Sequence, residues 1–187
     1  MFLICGLGNP GQRYINTRHN IGFDLIDRLI LKFNFSIIKK DTKKELYKGY
    51  IGSHNCILLK PLTYMNLSGV PVKEILKFYK IKKNKLYVIH DDIDLKISKV
   101  KIKIGGGNGG HNGLLSIDDE IGKHYNRIRI GIDHPGSKKL VANYVLKKFT
   151  NDEKKLIERK LINITDLFEL ALQDTNLFLT RLAEVKR

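Results

Sequence analysis

Four stretches of this 187-residue chain hold the side chains that acid–base and hydrogen-bonding chemistry uses. The first runs Gly6-Leu-Gly-Asn9-Pro-Gly-Gln-Arg-Tyr14-Ile-Asn-Thr-Arg18-His19-Asn20, between an apolar run at 1–5 and a helical pattern at 21–31. His19 stands at or beside a helix start, where the partial positive charge disfavours imidazolium. A neutral imidazole is what a general base requires. The plain alternative is a surface histidine that caps its helix.

The same stretch satisfies G-x-G-x-x-G after a strand, which raises a dinucleotide site. That site needs a helix opening at the third glycine, its amides aimed at pyrophosphate. Pro10 lies inside the motif, a polar loop follows Gly11, and Asp24 and Asp27 fall on the helix rather than at a second strand end. The context argues for a tight turn that exposes Asn9.

The second stretch, His90-Asp91-Asp92-Ile93-Asp94, ends an apolar run. Three carboxylates in four positions suit a magnesium ion in a phosphodiesterase. One carboxylate there suits a different task, fixing the tautomer of a histidine from another loop and stabilising its cation. The third and fourth stretches, Pro61 to Gly69 and Gly105 to Gly113, are rich in amides: Asn66 in the one, Asn108 and Asn112 in the other. An amide offers a donor and an acceptor without charge, suited to a peptide backbone, a water or a developing oxyanion. A glycine run that ends His111-Asn112 before a helix is an odd spacer.

These loops need a scaffold. Residues 1–5 read as a strand, 21–31 as an amphipathic helix, and 35–40, 46–51 and 56–59 as short strands joined too briefly for crossovers, hence antiparallel. A short helix over 72–79 and a strand over 86–90 follow. Residues 97–104 alternate with period two, putting the lysines on one exposed face. A helix begins at Leu114, and 127–132 again alternates basic and apolar residues. Residues 141–149 form a basic amphipathic segment. A helix from Asp152 carries the stripe Ile157, Leu161, Ile164, Phe168 and Ala171, and a last helix runs over 177–185. Strands alternating with helices describe an α/β fold: a single globular domain over 1–187, a mixed central sheet surrounded by helices.

Composition narrows the function classes. Hydrophobic residues make 42% and charged residues 28%, a globular balance. No apolar run is long enough for a membrane span. The N-terminus is apolar at once and reads as a first strand rather than a signal peptide. Cys5 and Cys56 read as buried free thiols, which suits a reducing cytosol, so a cytoplasmic location is expected. A net charge of +15 predicts attraction to a polyanion such as nucleic acid, although lysine is favoured throughout this chain.

Taken together, the motifs closely resemble bacterial peptidyl-tRNA hydrolases. The matching residues are Gly6 to Gly11, Tyr14 with Thr17 to Gly22, Lys60 to Gly69, His90 to Leu95, Lys103 to Gly113, and Arg127 to Gly131 with His134-Pro-Gly136. The resemblance implies a monomer that acts on peptidyl-tRNA without cofactor or metal. It implies His19 as the base that takes a proton from water, Asp91 as the group that holds it, and Asn9 as the reader of the peptide beside the ester. It further implies that Asn66 and Asn112 position water and substrate and stabilise the tetrahedral intermediate, with Tyr14, Tyr64 and Met65 lining the substrate cleft. Lys101, Lys103 and Arg129 would grip tRNA phosphate, and residues 141–148 would form a mobile wall. Asp133, placed where a small residue is common, puts a negative charge near that clamp. A non-catalytic RNA-binding relative, as in the organellar splicing-factor branch, would share the architecture, but here His19, Asp91, Asn9, Asn66 and Asn112 are all present.

Overall fold

The computed structural model describes residues 1–185; Lys186 and Arg187, the end of the expected domain, lie outside the described residues. The elements in chain order are β1 (Phe2–Gly6), α1 (Ile21–Phe33), β2 (Ser36–Lys40), β3 (Lys44–Ile51), β4 (His54–Pro61), α2 (Gly69–Phe78), β5 (Leu86–Asp92) and β6 (Val100–Ile104). They continue with α3 (Asn112–Ile121), β7 (Asn126–Gly131), α4 (Val141–Val145), α5 (Asn151–Asp166), α6 (Phe168–Gln173) and α7 (Thr175–Glu184). The strands form one mixed sheet in the order β2-β3-β4-β1-β5-β7-β6. β4, β1, β5 and β7 are parallel, while β2, β3 and β6 are antiparallel additions at the two edges.

The central strands are apolar on both faces because helices cover both, as parallel strands require. Phe2 and Ile4 of β1 and Tyr87 and Ile89 of β5 pack against α1 and against α5 to α7. Leu3 and Cys5, Leu86 and Val88 point the other way, onto α2 and α3. Both cysteines are buried free thiols, as their apolar contexts predict. The stripe from Ile157 to Ala171 is buried, but it is carried by two helices, α5 and α6, broken at Leu167. The lysine-bearing strand is shorter than its alternation suggests: Ser98 adopts φ 61° in the turn before it, and pairing begins at Val100.

Two features of this frame create the site. The chain leaves β1 towards α1 on one face, whereas α3 lies on the other, so the carboxyl ends of β1 and β5 border a crevice. At that edge Gly22 brings α1 close: a Cβ there would lie 2.4 Å from the backbone nitrogen of Leu7 and 2.6 Å from the Ile89 carbonyl. The second feature is the path of the glycine run. β6 ends beside Asn126, opposite the stretch of β5 near Tyr87, so the chain must travel back about 13 Å along the sheet to bring His111 level with Asp91. Gly105, Gly106, Gly109 and Gly110 all adopt positive φ on the way, where a side chain would be strained.

Candidate active site

A cleft of about 740 Å³ opens at this edge, and its lining includes His19, His90, Asp91, His111 and Asn112 together with Lys103, Arg127 and Arg129. His19 sits in a 3₁₀ turn, Arg18–Asn20, directly before α1. It is buried and does not cap the helix. Its Nδ1 lies 2.8 Å from Oδ1 of Asp91, the penultimate residue of β5. An ionised carboxylate only accepts, so Nδ1 carries the proton and Nε2 keeps its lone pair. Nε2 has no protein partner among the described residues.

Electrostatics change one expectation. Burial disfavours the imidazolium of His19, but the charge of Asp91 and its hydrogen bond outweigh burial, and the net pKa is raised. The helix start does not prevail, because the carboxylate is in direct contact. Burial would likewise push Asp91 up, but His19 and His111 together hold its carboxyl well below the usual carboxylate range.

His111 is the second donor on Asp91. Its Nε2 lies 3.1 Å from the same Oδ1, and its Nδ1 accepts the backbone N–H groups of Gly113 and Leu114 as the N-cap of α3. One nitrogen donates and the other accepts, which puts the His111 proton on Nε2 and leaves Nδ1 as the acceptor. His90 is held differently: Nδ1 donates to the Asp91 carbonyl at 2.7 Å, and burial and the neighbouring His111 push its pKa down to about 3. His19 combines an unpartnered ring nitrogen with a raised pKa; His90 Nε2 also lacks a partner, but it is buried in a ring whose pKa is lowered.

The ligand atoms of His19, Asp91 and His111 all lie within 4.8 Å of one another, near enough to surround a cation. The tautomers oppose it. A metal would need the lone pair of His111 Nε2, which would put a proton on Nδ1 against two backbone N–H groups. Asp91, Asp92 and Asp94 do not converge either: Asp92 Oδ2 pairs with Arg129, and Asp92 Oδ1 accepts the N–H of Asp94.

Asn9 is held from two sides. Its backbone N–H donates to Asn20 Oδ1 at 2.8 Å and its carbonyl accepts from Asn20 Nδ2 at 3.0 Å, while its own Oδ1 accepts the N–H of Met65 at 2.9 Å. This leaves Nδ2 as a donor without a partner among the described residues. Gly11 opens no α-helix, only a single 3₁₀ turn at Gln12–Tyr14, against the dinucleotide arrangement. Met65 is buried and gives the site its backbone N–H, its thioether packing where a side chain on Gly113 would lie. The circuit closes: Asn9 on Met65, Met65 against the start of α3, His111 on Asp91, Asp91 on His19, and Asn20 back on Asn9.

The remaining expected residues lie around this ring. Asn112 is exposed at the first turn of α3 and lines the cleft. Asn66 and Tyr64 are exposed on the loop of Met65, and Tyr14 is half-buried beside Arg13; these three do not line the cleft. Lys101 pairs in register with Arg129 and Lys103 with Arg127, so all four occupy one face. Lys103 and Arg129 line the cleft and Lys101 lies outside it. Arg129 is not a free cation: its Nε donates to Asp92 Oδ2 at 2.6 Å. Asp133, the suspected neighbour, faces Lys96 at 3.8 Å instead. Arg127, which alternation places with the exposed basic residues, is buried, donating to the Gly107 carbonyl and to Asp118.

A family model described as peptidyl-tRNA hydrolase matches residues 3–186. The chain belongs to the peptidyl-tRNA hydrolase family. Among its relatives, the peptidyl-tRNA hydrolase of Rickettsia prowazekii is 51% identical over 174 residues, spanning 92% of this chain and 94% of that protein. That of Rhizobium etli is 43% identical over 174 residues, or 93% of this chain and 72% of the relative. The crystal structure of peptidyl-tRNA hydrolase from Acinetobacter baumannii matches with a TM-score of 0.93 at 38% identity, covering 100% of this chain and 96% of that one. The mixed sheet flanked by helices is therefore the family's fold. Among the described residues no helix is long and apolar enough to cross a membrane.

Proposed function

We propose that this chain hydrolyses the ester between a peptide, or an N-blocked amino acid, and the 3′ ribose of tRNA, with His19 as the base. The observation that carries the reading is the bond from His19 Nδ1 to Asp91 Oδ1, which leaves Nε2 as a lone pair in a residue that lines the cleft. Nε2 takes a proton as water attacks the ester carbonyl, and Asp91 stabilises the imidazolium that forms. The proton then passes to the departing ribose oxygen, which regenerates the base. Such a base contributes about 10²–10⁴-fold to rate.

Asn9 Nδ2 donates to the peptide beside the ester, and a site built for that bond rejects a substrate that leaves it unpaired. Asn66 and Asn112 supply the uncharged donors for water, substrate and the developing oxyanion. Tyr14 and Tyr64 border the peptide's approach. Lys101 and Lys103 take tRNA phosphate as point charges, while Arg129 offers only the part of its guanidinium that Asp92 does not engage. Phosphates are common to every tRNA, so this grip is indifferent to sequence. The chain works as a monomer.

The test is release of N-acetylated amino acid from N-acetyl-aminoacyl-tRNA, with free aminoacyl-tRNA as the control and EDTA in a parallel reaction. Turnover of the blocked substrate, little of the free one, and no effect of EDTA are expected. Abolition by EDTA would return the carboxylates of 91–94 to consideration as metal ligands. No turnover of the blocked substrate would favour a non-catalytic RNA-binding relative.

A further inference from the structure

One buried charge beside the proposed base takes no part in that chemistry. Arg18, 4% exposed, precedes His19 in the same 3₁₀ turn, and its side chain turns away from the cleft. Nη1 donates to the carbonyls of Lys147, at 3.2 Å, and Lys148, at 2.9 Å. Nη2 donates to Glu153 Oε2 at 2.7 Å. The guanidinium carbon stands 4.1 Å from the ring centre of Tyr144 and 5.2 Å from that of Phe149. The backbone joins in: Arg18 N–H donates to the Lys147 carbonyl at 3.1 Å, and Thr17 bridges to Lys148.

The elements reached in this way matter. Lys147 and Lys148 follow α4, whose Val141, Ala142 and Val145 line the cleft. Glu153 is the N3 residue of α5 and completes a capping box with Thr150, its Oε2 accepting the Thr150 N–H at 2.7 Å. Tyr144 also donates through its hydroxyl to the Ile132 carbonyl, beyond the end of β7. A single guanidinium thus joins the base's own turn, the end of the cleft wall and the first turn of α5. Three acceptors and two flanking rings suit the planar, five-donor shape of arginine and not the single ammonium of lysine.

We propose that Arg18 is a positioning residue that sets the cleft wall, α4, at a fixed distance from His19, so that substrate is held where the base can act. This rests on the reading of His19 as the base of a peptidyl-tRNA hydrolase. The wall is then anchored at its 147–148 end through Arg18 and at Tyr144 through the Ile132 carbonyl. Arg18 touches neither substrate nor the reacting atoms; it acts through α4 and through the turn it shares with His19.

The test is Arg18→Lys, with Glu153→Gln as a milder variant that keeps the arginine and serves if the first fails to fold. In Arg18→Lys, KM for N-acetyl-aminoacyl-tRNA should rise about tenfold, the effect of one lost charge-assisted hydrogen bond, with kcat within about threefold. The midpoint of kcat against pH should stay that of the parent, because the His19–Asp91 pair is untouched. Backbone hydrogen exchange over 141–148 should accelerate, with α2 and α3 unchanged. Glu153→Gln should raise KM by about threefold, and the double variant should be no worse than Arg18→Lys alone, as residues acting in one unit behave. Parent KM in both folded variants, or exchange that rises evenly along the chain, would overturn the proposal. Failure of the parent itself to turn over substrate would instead overturn the functional reading beneath it.

Discussion

Replacing Asp91 with asparagine removes a charge while leaving shape and an acceptor in place, and so isolates what the carboxylate does. Oδ1 of Asp91 lies 2.8 Å from His19 Nδ1 and 3.1 Å from His111 Nε2. An amide oxygen can accept both bonds, so the circuit of contacts survives. The attraction between the carboxylate and the imidazolium that forms as water attacks does not. Two unit charges about 4 Å apart at an effective dielectric of 20 attract by about 4 kcal/mol, and the gain of a charged over a neutral hydrogen bond, roughly 1 to 2 kcal/mol, sets the lower end. A loss of about 2 to 4 kcal/mol in transition-state stabilisation corresponds to about 30- to 1000-fold in kcat/KM.

The pH profile gives the same variant a second signature. The proposed mechanism needs His19 neutral. Its folded pKa is raised, so the parent's rate should climb with pH through a midpoint above the ordinary histidine value of about 6.5. In Asp91→Asn the lifting charge is gone and the opposing burial remains, so the midpoint falls to or below that value. The variant should therefore be slow yet reach its plateau at lower pH than the parent. Initial rates on N-acetyl-aminoacyl-tRNA from pH 5 to 9 read both quantities. A rate within threefold of the parent, or a midpoint that moves upward, would refute the reasoning.

Two further outcomes follow from the geometry. Asn9→Asp keeps the acceptor that Met65 N–H uses and removes the Nδ2 donor of that side chain, so kcat/KM on blocked substrate should fall about 10- to 100-fold and the preference over free aminoacyl-tRNA should shrink; an unchanged preference in the paired assay would dismiss Asn9 as the reader. Lys103→Ala should flatten the plot of log affinity for tRNA against log salt by about 0.7 to 0.9. Arg129→Ala should flatten it by less, because Asp92 already neutralises that guanidinium, and equal slopes from filter binding would contradict the ion pair's influence.

Much of the frame was legible in the sequence because periodicity reports burial directly. The antiparallel strands between 35 and 61, the helix after His19 and the two-faced apolar strands follow from spacing alone. The His19–Asp91 contact was legible in type: a histidine at a helix start and a carboxylate at a strand end, 72 residues apart. What spacing does not encode is which polar group meets which. Arg18 finds Glu153 across 135 residues, and nothing local separates it from the exposed arginines. Arg127 alternates like a solvent-facing residue, yet the glycine loop and α3 cover it, and its partners are a loop carbonyl and Asp118. Asp92 on Arg129 rather than Asp133 is a register effect, since β5 and β7 lie side by side. Asn20 and His111 did leave signals, an amide after the histidine and a histidine before a helix. Their tasks, a doubly bonded clamp on Asn9 and a cap that also donates to Asp91, depend on the fold bringing the chain together.

The measurement closest to the central claim is single-turnover hydrolysis of N-acetyl-aminoacyl-tRNA by His19→Ala, with tRNA binding measured on the same preparation. Loss of the base should slow the chemical step by about 10²–10⁴-fold while tRNA affinity stays near that of the parent, since the lysines of β6 are untouched. A folded His19→Ala protein that binds tRNA and cleaves the ester at the parental rate would contradict the account.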